Sequence, residues 1–173
     1  MKAIVKLLLP LGCAALLASC HLLDHGDCCT EISVDVDVIV KNKDGQNLLD
    51  TTTHNHYTAD SIRLYYLKNG VAKEVYFPLQ DARRNFFIEQ TNGEATLRFF
   101  ADEGTASDKE TTTLIQWRAG DNSDIDTIYT EMFHFNSSSV TCNKVTYKHK
   151  VFYDINTPPD FTGDRFRVVR IVK

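Results

Sequence analysis

Asp35 and Asp37 stand two residues apart in the alternating stretch ISVDVDVIVK. Same-side positions of a strand lie roughly 6.5–7 Å apart, so the two carboxylates are a candidate acid–base pair of the kind that serves glycoside hydrolysis. Nothing else in the sequence builds a site around them, and a polar strand face open to water is the expectation. Asp121-Asn122-Ser123-Asp124-Ile125-Asp126 offers oxygen ligands for Ca²⁺. It lacks the glycine and terminal glutamate of an EF-hand loop and reads as a hydrated hairpin loop. His54-x-His56 lies in a Thr-rich loop, while His21, Asp24, His25, Asp27, Cys28 and Cys29 crowd one short segment. Neither spacing matches a structural zinc site, so no metal is expected. Gly-x-Ser-x-Gly, His-Glu-x-x-His, P-loop and Gly-x-Gly-x-x-Gly motifs are all missing. With no nucleophile–base pair, the chain reads as a non-enzymatic protein with no catalytic residue and no cofactor. Aromatic residues make up 10% of it, several of them as adjacent pairs: Tyr65-Tyr66, Phe86-Phe87 and Phe99-Phe100. Neighbours in a strand point to opposite faces, so one member of each pair is a candidate for a binding surface outside the core.

The N-terminus carries a different chemistry. Lys2 and Lys6 precede Leu7–Ala18, a twelve-residue apolar stretch, and no acidic residue occurs before Asp24. That stretch has the length of a signal-peptide core and is too short for a bilayer, which takes about 20 residues. It ends in Leu17-Ala18-Ser19-Cys20, a branched apolar residue, two small ones and a cysteine. This resembles the lipobox of bacterial lipoprotein precursors. The resemblance implies diacylglyceryl transfer to the Cys20 thiol, cleavage after Ser19 and acylation with chains of the palmitate class. Each buried methylene contributes about 0.8 kcal/mol, so several chains on one residue make a lasting anchor. Cleavage removes two lysines and no acid, which takes the formal charge from −4 to −6 on a mature chain of 154 residues. Residues 1–19 are then signal peptide, 20–30 a lipidated tether and 31–173 a single domain.

The five cysteines sort accordingly. Cys13 leaves with the signal and Cys20 is lipidated. Cys28, Cys29 and Cys142 remain in a compartment that permits disulfides. Cys29 with Cys142, or Cys28 with Cys142, would close a loop of about 110 residues and contribute about 2–4 kcal/mol; three free thiols are the alternative. Asp50-Thr51-Thr52, Asp60-Ser61-Ile62 and Asp126-Thr127-Ile128 look like the acceptor motif of Bacteroidota protein O-glycosylation. That resemblance marks Thr51, Ser61 and Thr127 as candidate glycan sites.

The elements that position these groups read as strands. Ile32–Lys41 alternates strictly, with Ile32, Val34, Val36, Val38 and Val40 on one side. Such alternation of β-branched residues predicts a half-buried strand. Ser61–Lys68 and Val71–Phe77 flank Asn69-Gly70, a strong hairpin signal. Phe86–Glu89 and Ala95–Ala101 flank Thr91-Asn92-Gly93, and Thr111–Arg118 and Thr127–Phe135 flank a polar loop, predicting two more hairpins. Val140–Ile155 changes phase near Asn143-Lys144, which predicts a bulge or break there. Arg165–Val172 predicts a last strand. Helical periodicity is confined to one turn around Leu79–Arg84. Turn-separated strands without interleaved helices predict an all-β domain, an immunoglobulin-like or transthyretin-like β-sandwich of about 8–10 strands. The 154 residues suffice for one core. Lys+Arg 19 against Asp+Glu 23 excludes a chain built to neutralise phosphates, so no nucleic acid partner is expected.

The lipobox, the tether and the segments CCTEISVDVDVIVKNKDGQNLLD and DSIRLYYLKNGVAK together resemble small Bacteroidota lipoproteins of unknown function. The resemblance implies a membrane-anchored cell-envelope protein, with the outer membrane as the expected location. Its expected role is that of a binding or interaction module whose partner is an envelope protein or a glycan. Glycan binding at the surface, or service as an anchor or subunit of a surface assembly, are the alternatives.

Overall fold

The computed structural model describes residues 30–91, 93–157 and 167–173. The readings on Cys20, the tether, Cys28 and Cys29 lie outside those residues. Glu31–Lys173 forms one compact unit. In chain order its strands are β1 (Ile32–Ser33), β2 (Asp35–Lys41), β3 (Arg63–Lys68), β4 (Val71–Glu74), β5 (Phe86–Thr91), β6 (Glu94–Phe100), β7 (Thr111–Gln116), β8 (Ile125–His134), β9 (Val140–Tyr147), β10 (Lys150–Asp154) and β11 (Val168–Val172). Among the described residues there is no helix. One sheet runs β1-β9-β8-β7-β3-β4, with β10 also on β9; the other runs β11-β2-β6-β5. The arrangement is an all-β fold of two mixed sheets, a β-sandwich.

Alternation builds the core. Val36, Val38 and Val40 of β2 meet Leu97 and Phe99 of β6, Leu64 of β3, Ile115 of β7, Ile128 of β8 and Val145 of β9, all fully buried. Asn69 and Gly70 both take positive φ, 52° and 77°, as a two-residue turn between twisted strands requires. The phase change in the 140–155 stretch is a bulge. Glu131 pairs with Lys144 and Met132 with Cys142, which leaves Asn143 as the extra residue on β9.

Several expectations are corrected. The Ile32–Lys41 stretch is two strands, because the chain changes sheets at Val34. β1 pairs parallel with β9, and β2 pairs antiparallel with β6 and parallel with β11. Its polar face is open to water only in part: the Asp35 side chain stays 42% exposed, while Asp37 is covered. β2 is an interior strand, and its register partner Arg98 lies over Asp37, which is 3% exposed. Arg98 donates Nε–H to Asp37 Oδ1 at 3.0 Å and Nη2–H to Oδ2 at 3.4 Å. Arg167 donates to Asp35 Oδ1 at 3.1 Å. Both carboxylates are thus held by guanidinium groups. The 140–155 stretch also folds back at Lys148-His149, with φ of 46° and 63°. With the split at Val34, this hairpin brings the count among the described residues to eleven strands. Residues 79–84 form turns rather than a helical turn, closed by hydrogen bonds from Phe77 N to Arg83 O and from Asn85 N to Ala82 O.

Candidate functional site

Register sorts the adjacent phenylalanines. Phe86 pairs with Phe99 across β5 and β6, and both point into the core, at 7% and 0% exposure. Phe87 and Phe100 must therefore point outward. They meet edge to face with ring centroids 6.2 Å apart, and Phe87 stays 43% exposed. The segment from Phe77 to Asn85 passes opposite them. Between that segment, Phe87 and the end of β6 lies a groove of about 620 Å³. Phe77 and Phe87 contribute its apolar walls, with Ile32 and Val34 at the sheet-switch end.

Its floor is fixed by hydrogen bonds. Tyr66 OH donates to Phe100 O at 2.8 Å, and Asn85 Nδ2 donates to Tyr66 OH at 2.7 Å. The rim is acidic: Asp81, Asp102 and Glu103 line the groove, and among its described lining residues there is no lysine or arginine. Lys68 Nζ sits outside the lining and bonds Asp102 Oδ1 at 2.7 Å. Burial pushes the Tyr66 phenol up to about 12, and the nearby carboxylates of Asp102 and Glu103 push in the same direction. The groove is thus an aromatic-walled cleft lined by acidic residues, of the size that holds a small ligand or a short chain segment.

A second polar constellation closes the opposite end of the sandwich. Asp126 is 5% exposed. It accepts hydrogen bonds from Trp117 Nε1 at 2.7 Å and Tyr147 OH at 2.7 Å, and its Oδ2 lies 2.6 Å from Lys173 Nζ. Lys173 also reaches Asp124 Oδ1 at 2.6 Å, while Tyr57 OH donates to Asp124 Oδ2 at 2.8 Å. The Tyr57 ring stacks on Trp117 at 5.0 Å. Burial alone would raise the Asp126 carboxyl, but the three donors outweigh it and hold the group below its usual range. Every oxygen here is engaged by protein donors, so this is a structural clamp. The loop read as hydrated is therefore only partly so. Asp121 makes a local turn by accepting from Ser123 N at 2.9 Å, whereas Asp124 and Asp126 turn inward to Lys173.

The other sequence candidates are scattered. Cys142 is a free, fully buried thiol that donates to Lys144 O at 3.4 Å, and burial pushes its pKa up to about 11. Its proposed partners, Cys28 and Cys29, lie outside the described residues. Thr51 is exposed in a loop, and Thr127 is half-buried. Ser61 Oγ donates to the carbonyls of Thr58 at 2.9 Å and Trp117 at 3.0 Å, which ties it into the fold. His56 Nδ1 lies 3.0 Å from Thr53 O. Among the described residues no three potential metal ligands gather. Sequence reasoning missed both the groove and the Lys173 clamp. The Phe86-Phe87 and Phe99-Phe100 doublets were the available signal for the first, and the clamp had none. Comparison with protein-family models, with curated proteins and with solved structures finds no match for this chain.

Proposed function

We propose that this chain is a lipid-anchored cell-envelope lipoprotein working as a non-enzymatic binding module, with the groove beside Phe87 as its binding site. The observation that carries the binding reading is the aromatic-walled cleft of about 620 Å³ beside Phe87. Strand register sets its Phe87 wall and part-buried hydrogen bonds tie its floor, which lowers the ordering cost of binding. The anchoring reading rests on Leu17-Ala18-Ser19-Cys20 after a charge-flanked apolar core. A surface glycan is the second reading, favoured by the exposed rings of Phe77 and Phe87, on which a sugar face can stack.

Two measurements test the two halves. Intact mass of the membrane-extracted protein is expected to show an N-terminal Cys20 carrying acyl chains; an unacylated mature chain refutes the anchor. A photo-crosslinking phenylalanine analogue at position 87, introduced in cells, is expected to yield a discrete adduct. The same probe at Leu79, which is 99% exposed and outside the groove lining, is expected to yield none. Equal yields at the two positions, or no adduct at 87, refute the groove as the site.

A further inference from the structure

We infer that the groove takes an organic cation: an ammonium or guanidinium group on an apolar stem, as a lysine or arginine side chain or a free polyamine presents it. This rests on the groove being the binding site and adds the class of ligand. Three observations converge on it. First, three acidic residues line the groove, and among the described residues only Asp102 of the three has an ion-pair partner, Lys68. Glu103 and Asp81 stand exposed at the rim. Second, the basic residues nearest in sequence are directed elsewhere. Arg84 pairs with Glu74 at 3.3 Å and lies over the Tyr76 ring at 5.8 Å, and Arg83 is outside the lining. His134 faces the Glu103 backbone carbonyl at 3.1 Å rather than the groove. Third, Phe77 and Phe87 leave ring surface uncovered beside those carboxylates, at 39% and 43% exposure.

A cation bound between an aromatic face and a carboxylate gains from both, and its alkyl stem covers ring surface that water leaves poorly solvated. An anionic sugar or a phosphate would meet repulsion from every charged group lining the site. A neutral sugar could stack on the rings but would leave the rim charges uncompensated. Charge complementarity therefore selects the cation.

The test is a titration of the full mature protein followed by nuclear magnetic resonance. The probes are a capped hexapeptide alternating glycine and arginine, the same peptide with citrulline for arginine, spermidine, and a neutral cello-oligosaccharide. The arginine peptide or spermidine is expected to shift the resonances of Phe87, Ala101 and Gly104. The stronger of the two identifies a polypeptide or a free amine as the source. Asp81→Asn with Glu103→Gln, both at exposed rim positions, is expected to weaken that binding by about fivefold or more, as is raising the salt from about 20 to about 500 mM. Phe87→Ala is expected to weaken it independently of salt. Citrulline peptide binding as well as arginine peptide overturns the inference. So does the neutral oligosaccharide binding in the groove with no dependence on the rim carboxylates, an outcome that leaves the groove itself standing as a site. Silence toward every probe overturns the cation assignment, while the crosslink at position 87 judges the groove separately.

Discussion

Replacing Lys173 with methionine keeps an apolar stem and removes the ammonium, whose Nζ lies 5.6 Å from the Trp117 ring centroid. Lys173 Nζ sits 2.6 Å from both Asp124 Oδ1 and Asp126 Oδ2, and the Asp126 side chain is 6% exposed. Without the ammonium, Asp126 retains its two neutral donors, Trp117 and Tyr147, but has no counter-charge. Removing one partner of a buried pair typically costs about 3–5 kcal/mol. Lys173 and Asp124 are 23% and 21% exposed, so water recovers part of this. The expected loss is therefore about 2–3 kcal/mol at pH 7, or roughly 5–10 °C in Tm for a domain of this size. The pH dependence carries a sign. The Asp126 carboxyl lies below its usual range in the folded protein, so its contribution is complete above the unfolded value near 3.8 and is lost as pH falls through the folded one. In the variant, burial is opposed by two donors instead of three and the carboxyl titrates higher. The folded variant then takes up its proton sooner, and its deficit against the parent narrows as pH falls from 7 towards 4. Urea unfolding of parent and variant at pH 7, 5.5 and 4 measures this directly. A deficit below about 0.5 kcal/mol at pH 7, the usual scale of a surface pair, refutes the clamp. So does a deficit that stays the same at pH 4.

Three further outcomes follow from the geometry. With its thiol pushed up to about 11 and no exposed surface, Cys142 is expected to be alkylated by iodoacetamide at pH 8 at least about a hundredfold more slowly in the native protein than in urea, read by peptide mass; comparable rates would contradict its burial. Replacing Lys148-His149 with Asn-Gly relieves two non-glycine residues at positive φ and is expected to stabilise by about 1 kcal/mol, seen as a rise in urea midpoint with unchanged m. Phe99→Ala, at a fully buried position paired with Phe86, is expected to cost about 3–5 kcal/mol, and a loss under about 1 kcal/mol would place Phe99 outside the core.

Features written in local chemistry were legible from the sequence. Asn69-Gly70 announced its hairpin because few other residue pairs accept two positive φ values cheaply. The parity change at Asn143 announced the bulge, since one extra residue on a strand must flip every later side chain. The sheet switch at Val34 was hidden because the valine parity runs through it unbroken while the partner strand changes. The turn at Lys148-His149 was hidden because neither residue belongs to the turn vocabulary, and strand pairing imposes the conformation. Asp37 looked solvated because its partner Arg98 lies 61 positions away, and Asp124 because Lys173 lies 49 positions away. The groove draws on segments between Ile32 and Gly104, so no local pattern encodes it.

The sheet switch has a mechanical consequence. Tension drawn into the domain through Glu31 meets β1 first, held to parallel β9 at only two paired positions, Ile32 with Val140 and Ser33 with Thr141. Behind it lies β2, held at five positions by parallel β11 and at four by β6. A strand pulled along its own axis loads such rungs in shear, so they share the force instead of opening one by one. Arg167 bolts the junction by bonding Ser33 Oγ at 2.9 Å, Asp35 Oδ1 at 3.1 Å and Cys142 O at 3.1 Å. With fewer rungs, β1 is the strand expected to yield first under such a load. Its release would free a few residues of chain and the Ile32 end of the groove, while the valines of β2 stay packed in the core.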